Sequence, residues 1–131
     1  MIVLSNTTAK IQAVMDASSS VTAPQVIAIY YDVPSSTKED FSEYRGKNSP
    51  ITLNNITDVD IVPAPGTAGT VRNVKTISIY NSNVITQSVT VKIDDGGTEY
   101  VIIKAALATL ESLHYEDGFG WYAMTSAGAR K

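Results

Sequence analysis

The stretch 88-SVTVKIDDGGTEYVII-103 decides how this sequence is read. Residues 88–94 alternate strictly. Val89, Val91 and Ile93 point one way; Ser88, Thr90 and Lys92 point the other. A period of two is the mark of a strand with one buried face. Asp94-Asp-Gly-Gly97 follows, and Asp95-Gly96 tolerates the positive φ that a tight type I′ hairpin turn requires. That turn places Ile93 opposite Thr98, Lys92 opposite Glu99, Val91 opposite Tyr100 and Val89 opposite Ile102. Lys92 and Glu99 become a cross-strand charge pair worth about 0.2–1 kcal/mol. Val91 and Tyr100 share the inner face.

Strands continue outward from this hairpin. On the C-terminal side, Leu110–Glu116 carries Leu113 and Tyr115 on one face. Glu116-Asp-Gly118 turns, and Phe119–Thr125 returns with Trp121. On the N-terminal side, Val74–Tyr80 sets Ile77 and Ile79 against Thr76, Ser78 and Tyr80, and Asn81-Ser-Asn83 makes the turn. Pro63–Gly69 is a connector rich in breakers. Short strands are expected at Ile51–Asn54 and Asp58–Val62. Gln25–Val33, bracketed by Pro24 and Pro34, is apolar on both faces. Such a strand is buried on both sides or lends one face to a subunit interface. Lys10–Ala17 fits a strand or a short helix. Residues 1–9 read as an extended arm or an edge strand. Ser35–Pro50 reads as a long exposed loop with one helical turn at Lys38–Tyr44, and loops of that length are functional or mobile.

Composition agrees with strands. Ile and Val together number 26 against 5 Leu, and Ser and Thr add 27. β-Branched residues favour sheets over helices. With 131 residues, 44% of them hydrophobic and 18% charged, the chain can bury one core and is not intrinsically disordered. The expected fold is all-β: one β-sandwich domain over residues 1–131, jelly-roll-like, with about eight to ten short antiparallel strands. Residues 1–9 form its arm and residues 35–50 its long loop. There is no cysteine, which excludes disulfides and thiolate metal sites. A net charge of −3, from 10 basic and 13 acidic residues, lacks the basic excess of a nucleic-acid binder. No apolar run reaches the ~20 residues needed to cross a bilayer. Met1–Ser5 is too short for a signal peptide, so synthesis in a cytoplasm without an address is expected.

Little in the sequence points to catalysis. The single histidine, His114, lies two residues from Ser112 on one strand face. A hydrolytic set also needs a group to orient the imidazole and an oxyanion hole, and no G-x-S-x-G elbow is present. Asp94, Asp95, Glu116 and Asp117 could meet as calcium ligands, but each stands near a glycine, where aspartate serves turn geometry. Gly66-Thr-Ala-Gly69 lacks the Lys-Ser/Thr of a phosphate loop, and Gly118-Phe-Gly120 precedes no helix. No catalytic residue, cofactor or metal is therefore expected. The aromatics are the remaining signal. Most of the seven tyrosines and the one tryptophan belong to a core, but aromatic clusters also enrich interfaces. The interface candidates are Ile27, Ile29 and Tyr31 in the two-faced strand, Phe41 and Tyr44 in the loop, and Trp121. Self-association is expected from them.

The segment from Val71 to Lys131 resembles the C-terminal half of small virion proteins of tailed bacteriophages. The shared pattern is an Asn-rich turn (Asn81, Asn83), an Asp-Gly hairpin (Asp95-Gly96) and a Leu-x-x-x-Glu step (Leu107, Glu111). Tyr115, Asp117-Gly118 and Gly120-Trp121 follow, with a small-residue tail, Ser126-Ala-Gly128. The opening Thr7–Gln12 is similar too. The likeness is one of strands and turns, not of catalytic groups. It implies a non-enzymatic structural β-sandwich of the virion.

The leading expectation is a capsid decoration, or cement, protein. It would bind and stabilise the shell of the major capsid protein from outside, as a homotrimer at local three-fold positions, without nucleic acid or membrane as partner. A neck, tail or fibre-base component of the virion is the alternative. A carbohydrate-binding sandwich is a third, requiring an exposed platform at Trp121 or Tyr122.

Overall fold

The computed structural model describes residues 1–16, 22–34, 45–53 and 56–131. Their strands are β1 (Ile2–Leu4), β2 (Ala9–Met15), β3 (Gln25–Pro34), β4 (Arg45–Thr52) and β5 (Val59–Val62). They continue with β6 (Thr70–Tyr80), β7 (Gln87–Asp95), β8 (Thr98–Leu107), β9 (Ser112–Glu116) and β10 (Gly120–Met124). Two antiparallel sheets result, as a β-sandwich requires. One runs β10-β9-β6-β3-β4, with β1 also on β6; the other runs β5-β2-β7-β8. β1 and β9 share one edge of β6, β1 at Arg72–Val74 and β9 at Thr76–Tyr80.

Alternation decides which side chains meet. Ile11, Ala13 and Met15 of β2 are buried with Val26, Ala28 and Tyr30 of β3. Val74, Ile77 and Ile79 of β6, Val89 and Val91 of β7, and Leu113 and Tyr115 of β9 complete the core. Lys10–Ala17, open between strand and helix by pattern, is thus a strand to Met15.

The β7–β8 hairpin is present, but its turn lies one residue further along than Asp95-Gly96. Asp95 pairs with Thr98, and the turn is Gly96-Gly97, with φ of 62° and 94°. Glycine takes such values without strain. Asp94 secures the turn by accepting from the Gly97 N–H at 2.7 Å. The register therefore differs from the expected one. Lys92 stands opposite Val101 and Ile93 opposite Tyr100. Lys92 and Glu99 still bond at 2.8 Å, along the diagonal. Tyr100 leaves the core position expected for it and is 60% exposed. Between Val91–Ile103 and Lys92–Val101 the register slips, leaving Ile102 as the extra residue of a bulge.

Two further expectations meet the structure differently. Of the two readings of residues 1–9, the strand holds and the free arm does not: β1 pairs with β6 and buries Leu4 at 1% exposure. Asn6 then accepts from the backbone of Thr8 and Ala9, and Asp95 accepts from Asn6 and Thr8 at 3.0 Å. The loop expected over 35–50 does not include Arg45–Pro50, which belongs to β4 and pairs with β3. Charged and proline-containing sequence disguised an edge strand, a place in a sheet where proline fits. The helical turn expected at Lys38–Tyr44 lies outside the described residues.

One end of the sandwich is held by a buried amide. Asn81, fully buried, donates through Nδ2 to the carbonyls of Ile85, Leu107 and Ala108 at 2.8–3.1 Å. Its Oδ1 accepts from the Asn83 N–H, and Asn83 donates to the Thr22 carbonyl at 2.9 Å. Backbone bonds from Asn81 to Glu111 and from Leu110 to Asn81, each 2.9 Å, complete the knot. Leu110 is held there at φ 63°, the one non-glycine positive φ among the described residues, at a cost of about 1–2 kcal/mol. The connections β2–β3, β6–β7 and β8–β9, all crossing between sheets, are thereby joined.

Asn81→Ala should cost about 3 kcal/mol in urea unfolding, because several buried carbonyls lose their donor. Asn81→Asp, equal in shape but without the donor, should be no better; a tolerated Asp would refute the donor role. Leu4→Ala should also cost about 3 kcal/mol, whereas a free arm would make it neutral.

Candidate interaction face

The outer face of the six-stranded sheet collects the residues of interest. Cross-strand registers place Tyr122, His114, Ser78, Ile27 and Pro50 in one row from β10 to β4. The neighbouring row is Gly120, Glu116, Thr76, Ile29 and Asn48. Val26, Ala28 and Tyr30 take the inner face, so Ile27 and Ile29 must face outward, and they are 52% and 45% exposed. β3 is therefore apolar on both faces but buried on one. An open groove of about 440 Å³ beside it is lined in part by Ile29, Lys47 and Asn48. Tyr31 shares this face, half-buried, with the Lys75 ammonium 5.1 Å from its ring centre. Trp121 lies on the opposite face, 5.2 Å from Tyr115 and packed against the core. Phe41 and Tyr44 lie outside the described residues.

The β9–β10 end of this face is polar and aromatic. The His114 ring stacks on Tyr122 at 5.3 Å and 18°. Ser112 Oγ and His114 Nε2 are 2.7 Å apart. Burial pushes the imidazole below its ordinary pKa, and Glu116 only partly opposes this. A neutral imidazole against a serine hydroxyl is the start of a nucleophile–base pair. The carboxylate on the same strand, Glu116, is bonded instead by the Tyr122 hydroxyl at 2.6 Å, which holds that phenol above its usual pKa. Arg130 lies 4.8 Å from the ring centres of both Tyr122 and Phe119. Sequence reasoning found the Ser112–His114 spacing but missed this stack, because Arg130 reaches it from beyond β10.

The acidic turns are each committed elsewhere. Asp95 serves Asn6 and Thr8, Asp94 caps Gly97 and pairs with Lys10, and Asp117 pairs with Lys75. The Lys75 hydrogen bond lowers the Asp117 pKa. Among the described residues, no group of three or more His, Asp or Glu could hold a metal ion. The outer face of the four-stranded sheet is a lattice of ion pairs. Lys10 joins Asp60 and Asp94; Lys92 joins Asp58 and Glu99; Lys104 joins Asp16. The two outer faces thus differ: one is paired charge, the other carries exposed isoleucines. Compared with protein-family models, with curated proteins and with solved structures, the chain matches none.

His114 gives the face a pH signature. Its folded pKa lies below the ordinary 6.5, so the unfolded chain binds the proton first as pH falls. Stability is then full above 6.5 and declines as pH drops toward the lowered folded value. The thermal midpoint should fall between pH 7.5 and pH 5.5, windows set by that ordinary value. His114→Asn should flatten this slope. Asp32, Glu111 and Asp117 are held below ordinary values of 3.8 to 4.5, so their own loss comes at lower pH. An unchanged slope in the variant would remove His114 as its source.

Proposed function

We propose that this protein is a non-enzymatic virion structural protein of a tailed bacteriophage, a capsid decoration protein that binds and stabilises the major capsid protein shell. One observation carries the binding role: a sheet face on which Ile27 and Ile29 stand half-exposed beside an open groove. Exposed apolar side chains clustered on a sheet mark an interaction surface. The identity of the partner rests on the resemblance described above. Its residues support a structural protein, since Asn81, Asn83, Leu107 and Glu111 build the knot between the sheets. Two features weigh against a glycan site. Trp121 packs inward, and Tyr122 is already contacted by His114 and Arg130. With β1 anchored on β6, residues 1–9 are not free to clamp a neighbour, and the β3 face is the surface assigned to shell binding. Self-association, with a trimer as the expected form, is part of the same reading.

Shells stripped of the protein supply the test. Full-length protein should re-coat them in many copies per particle, counted by quantitative mass spectrometry. Ile27→Glu/Ile29→Glu should fold with an unchanged circular dichroism spectrum, because both side chains face solvent. Its shell occupancy should fall by about tenfold or more, as expected when central apolar anchors are replaced by charge. Wild-type occupancy by this variant would remove the β3 face from the interaction. A few copies confined to the neck or tail would replace the decoration reading with the neck and tail one.

A further inference from the structure

Most sheet edges among the described residues are blunted. β4 carries Pro50 and Lys47. β5 has four residues. β10 is covered by the returning chain, through Thr125 to Ala129, Lys131 to Ala123 and the Met124–Arg130 bridge. β8 is different. It is ten residues long, lacks proline and ends its sheet, so along its outer side every second residue has backbone groups without a strand partner. Tyr100 and Val101 on it are 60% and 67% exposed. A long apolar edge is a template for another strand.

The bulge makes this edge self-complementary. Glu99 and Lys104 are five residues apart in sequence, and plain alternation would set them on opposite faces. The extra Ile102 cancels one step. Glu99 opposes Asp94, Val101 opposes Lys92 and Lys104 opposes Thr90, so all three project from the outer face. Tyr100 and Ile103, opposite Ile93 and Val91, share the inner face.

We propose that the free edge of β8 pairs antiparallel with β8 of a second copy. The register sets Glu99 opposite Lys104 of the partner at both ends, Val101 opposite Ile102 at the centre, and Tyr100 opposite Ile103. Glu99 with Lys104, and Tyr100 with Ile103, then join residues that already share a face. The opposite charges fall together, and the two bulged steps Val101-Ile102, with Ile102 packed against its own core, meet on the two-fold axis. The two four-stranded sheets become one continuous sheet. This contact is two-fold and gives a dimer; it uses neither Ile27 nor Ile29 and is separate from the shell-binding contact and from the trimer expected with it.

Charge reversal on the full-length chain tests the register. Sedimentation equilibrium should show wild-type association through this edge at tens of micromolar protein, about the range of a modest interface. Glu99→Lys alone and Lys104→Glu alone each create two like-charge oppositions and should weaken it about tenfold or more. The double variant Glu99→Lys/Lys104→Glu should restore it. Thermal midpoints of all three separate folding from association. The chain has no cysteine, so Val101→Cys, whose two copies flank the two-fold axis on one face, should give a covalent dimer on mild oxidation, and Ser126→Cys should not. A monomeric wild type, or single variants that associate as wild type does, would overturn the proposal. So would association abolished by Ile27→Glu/Ile29→Glu but indifferent to β8. Reduced shell occupancy in the β8 variants with unchanged sedimentation would mean that the edge takes a strand of the shell protein, which also overturns pairing with a second copy.

Discussion

The buried amide of Asn81 is the constraint on which the sandwich depends. Two sheets that share a core can still slide or splay, because apolar contact has no direction. Hydrogen bonds to fixed carbonyls do have one. Asn81 ties the β6–β7 connection to the β8–β9 connection, and Asn83 brings in the chain ahead of β3. The opposite end uses ionic pins. Arg72, only 4% exposed, grips Asp32 through two bonds of 2.7 and 2.9 Å, and also bonds the carbonyls of Pro63 and Ala64. The Arg72 hydrogen bond is the main reason the Asp32 carboxyl is held below its ordinary pKa. Asp95 with Asn6 and Thr8 fastens the β1–β2 crossing at that end. With both ends fixed, the strand registers are fixed, and so are the side chains that each face presents.

Those presented side chains explain why the two outer faces behave differently. On the four-stranded sheet nearly every long side chain finds an opposite charge across a strand. Lys92 illustrates the balance: burial works against its charge, yet Asp58 and Glu99 hold its pKa above the usual value. The charges of such a face are paired within it, although the Gln12 Oε1 on it is buried without a hydrogen-bond partner. On the six-stranded sheet, Ile27 and Ile29 have no comparable partners, and the neighbouring β9–β10 stack is aromatic.

Much of this fold is written in local pattern, and the misreadings share a physical cause. Alternation in residues 88–94 reveals β7, and the prolines around residues 25–33 bound β3 closely. The Lys92–Glu99 pair is legible as chemistry, but its geometry is not. Either Asp95-Gly96 or Gly96-Gly97 can turn the chain, and the choice moves the register by two, preserving each face while changing each partner. Asn81 and Asn83 look like ordinary turn residues, because a side chain reaching carbonyls far along the chain leaves no local trace. β4 was hidden by Pro50 and by charged neighbours. Of the residues singled out for a site, Ile27, Ile29 and Tyr31 share one face, while Trp121 lies on the other. Inside and outside differ at β10 by a single step, and nothing local announces which step is taken.

The place of β6 in the sheet has a consequence for the order of events on the ribosome. Its partners are β1 and β3, made before it, and β9, made well after it. When β6 emerges, it can lie against β3 at once. Its edge at Thr76–Tyr80 must wait until β7 and β8 have been synthesised and β9 has followed. Asn81 waits with it, since the Leu107 and Ala108 carbonyls and Glu111 do not yet exist. In a chain that has not reached Leu107, the sheet edge at Thr76–Tyr80 is open and the Asn81 amide bonds to water, a condition that invites pairing with the wrong strand. Closure comes as one late step, when the Leu107–Glu111 corner arrives and both connections lock together.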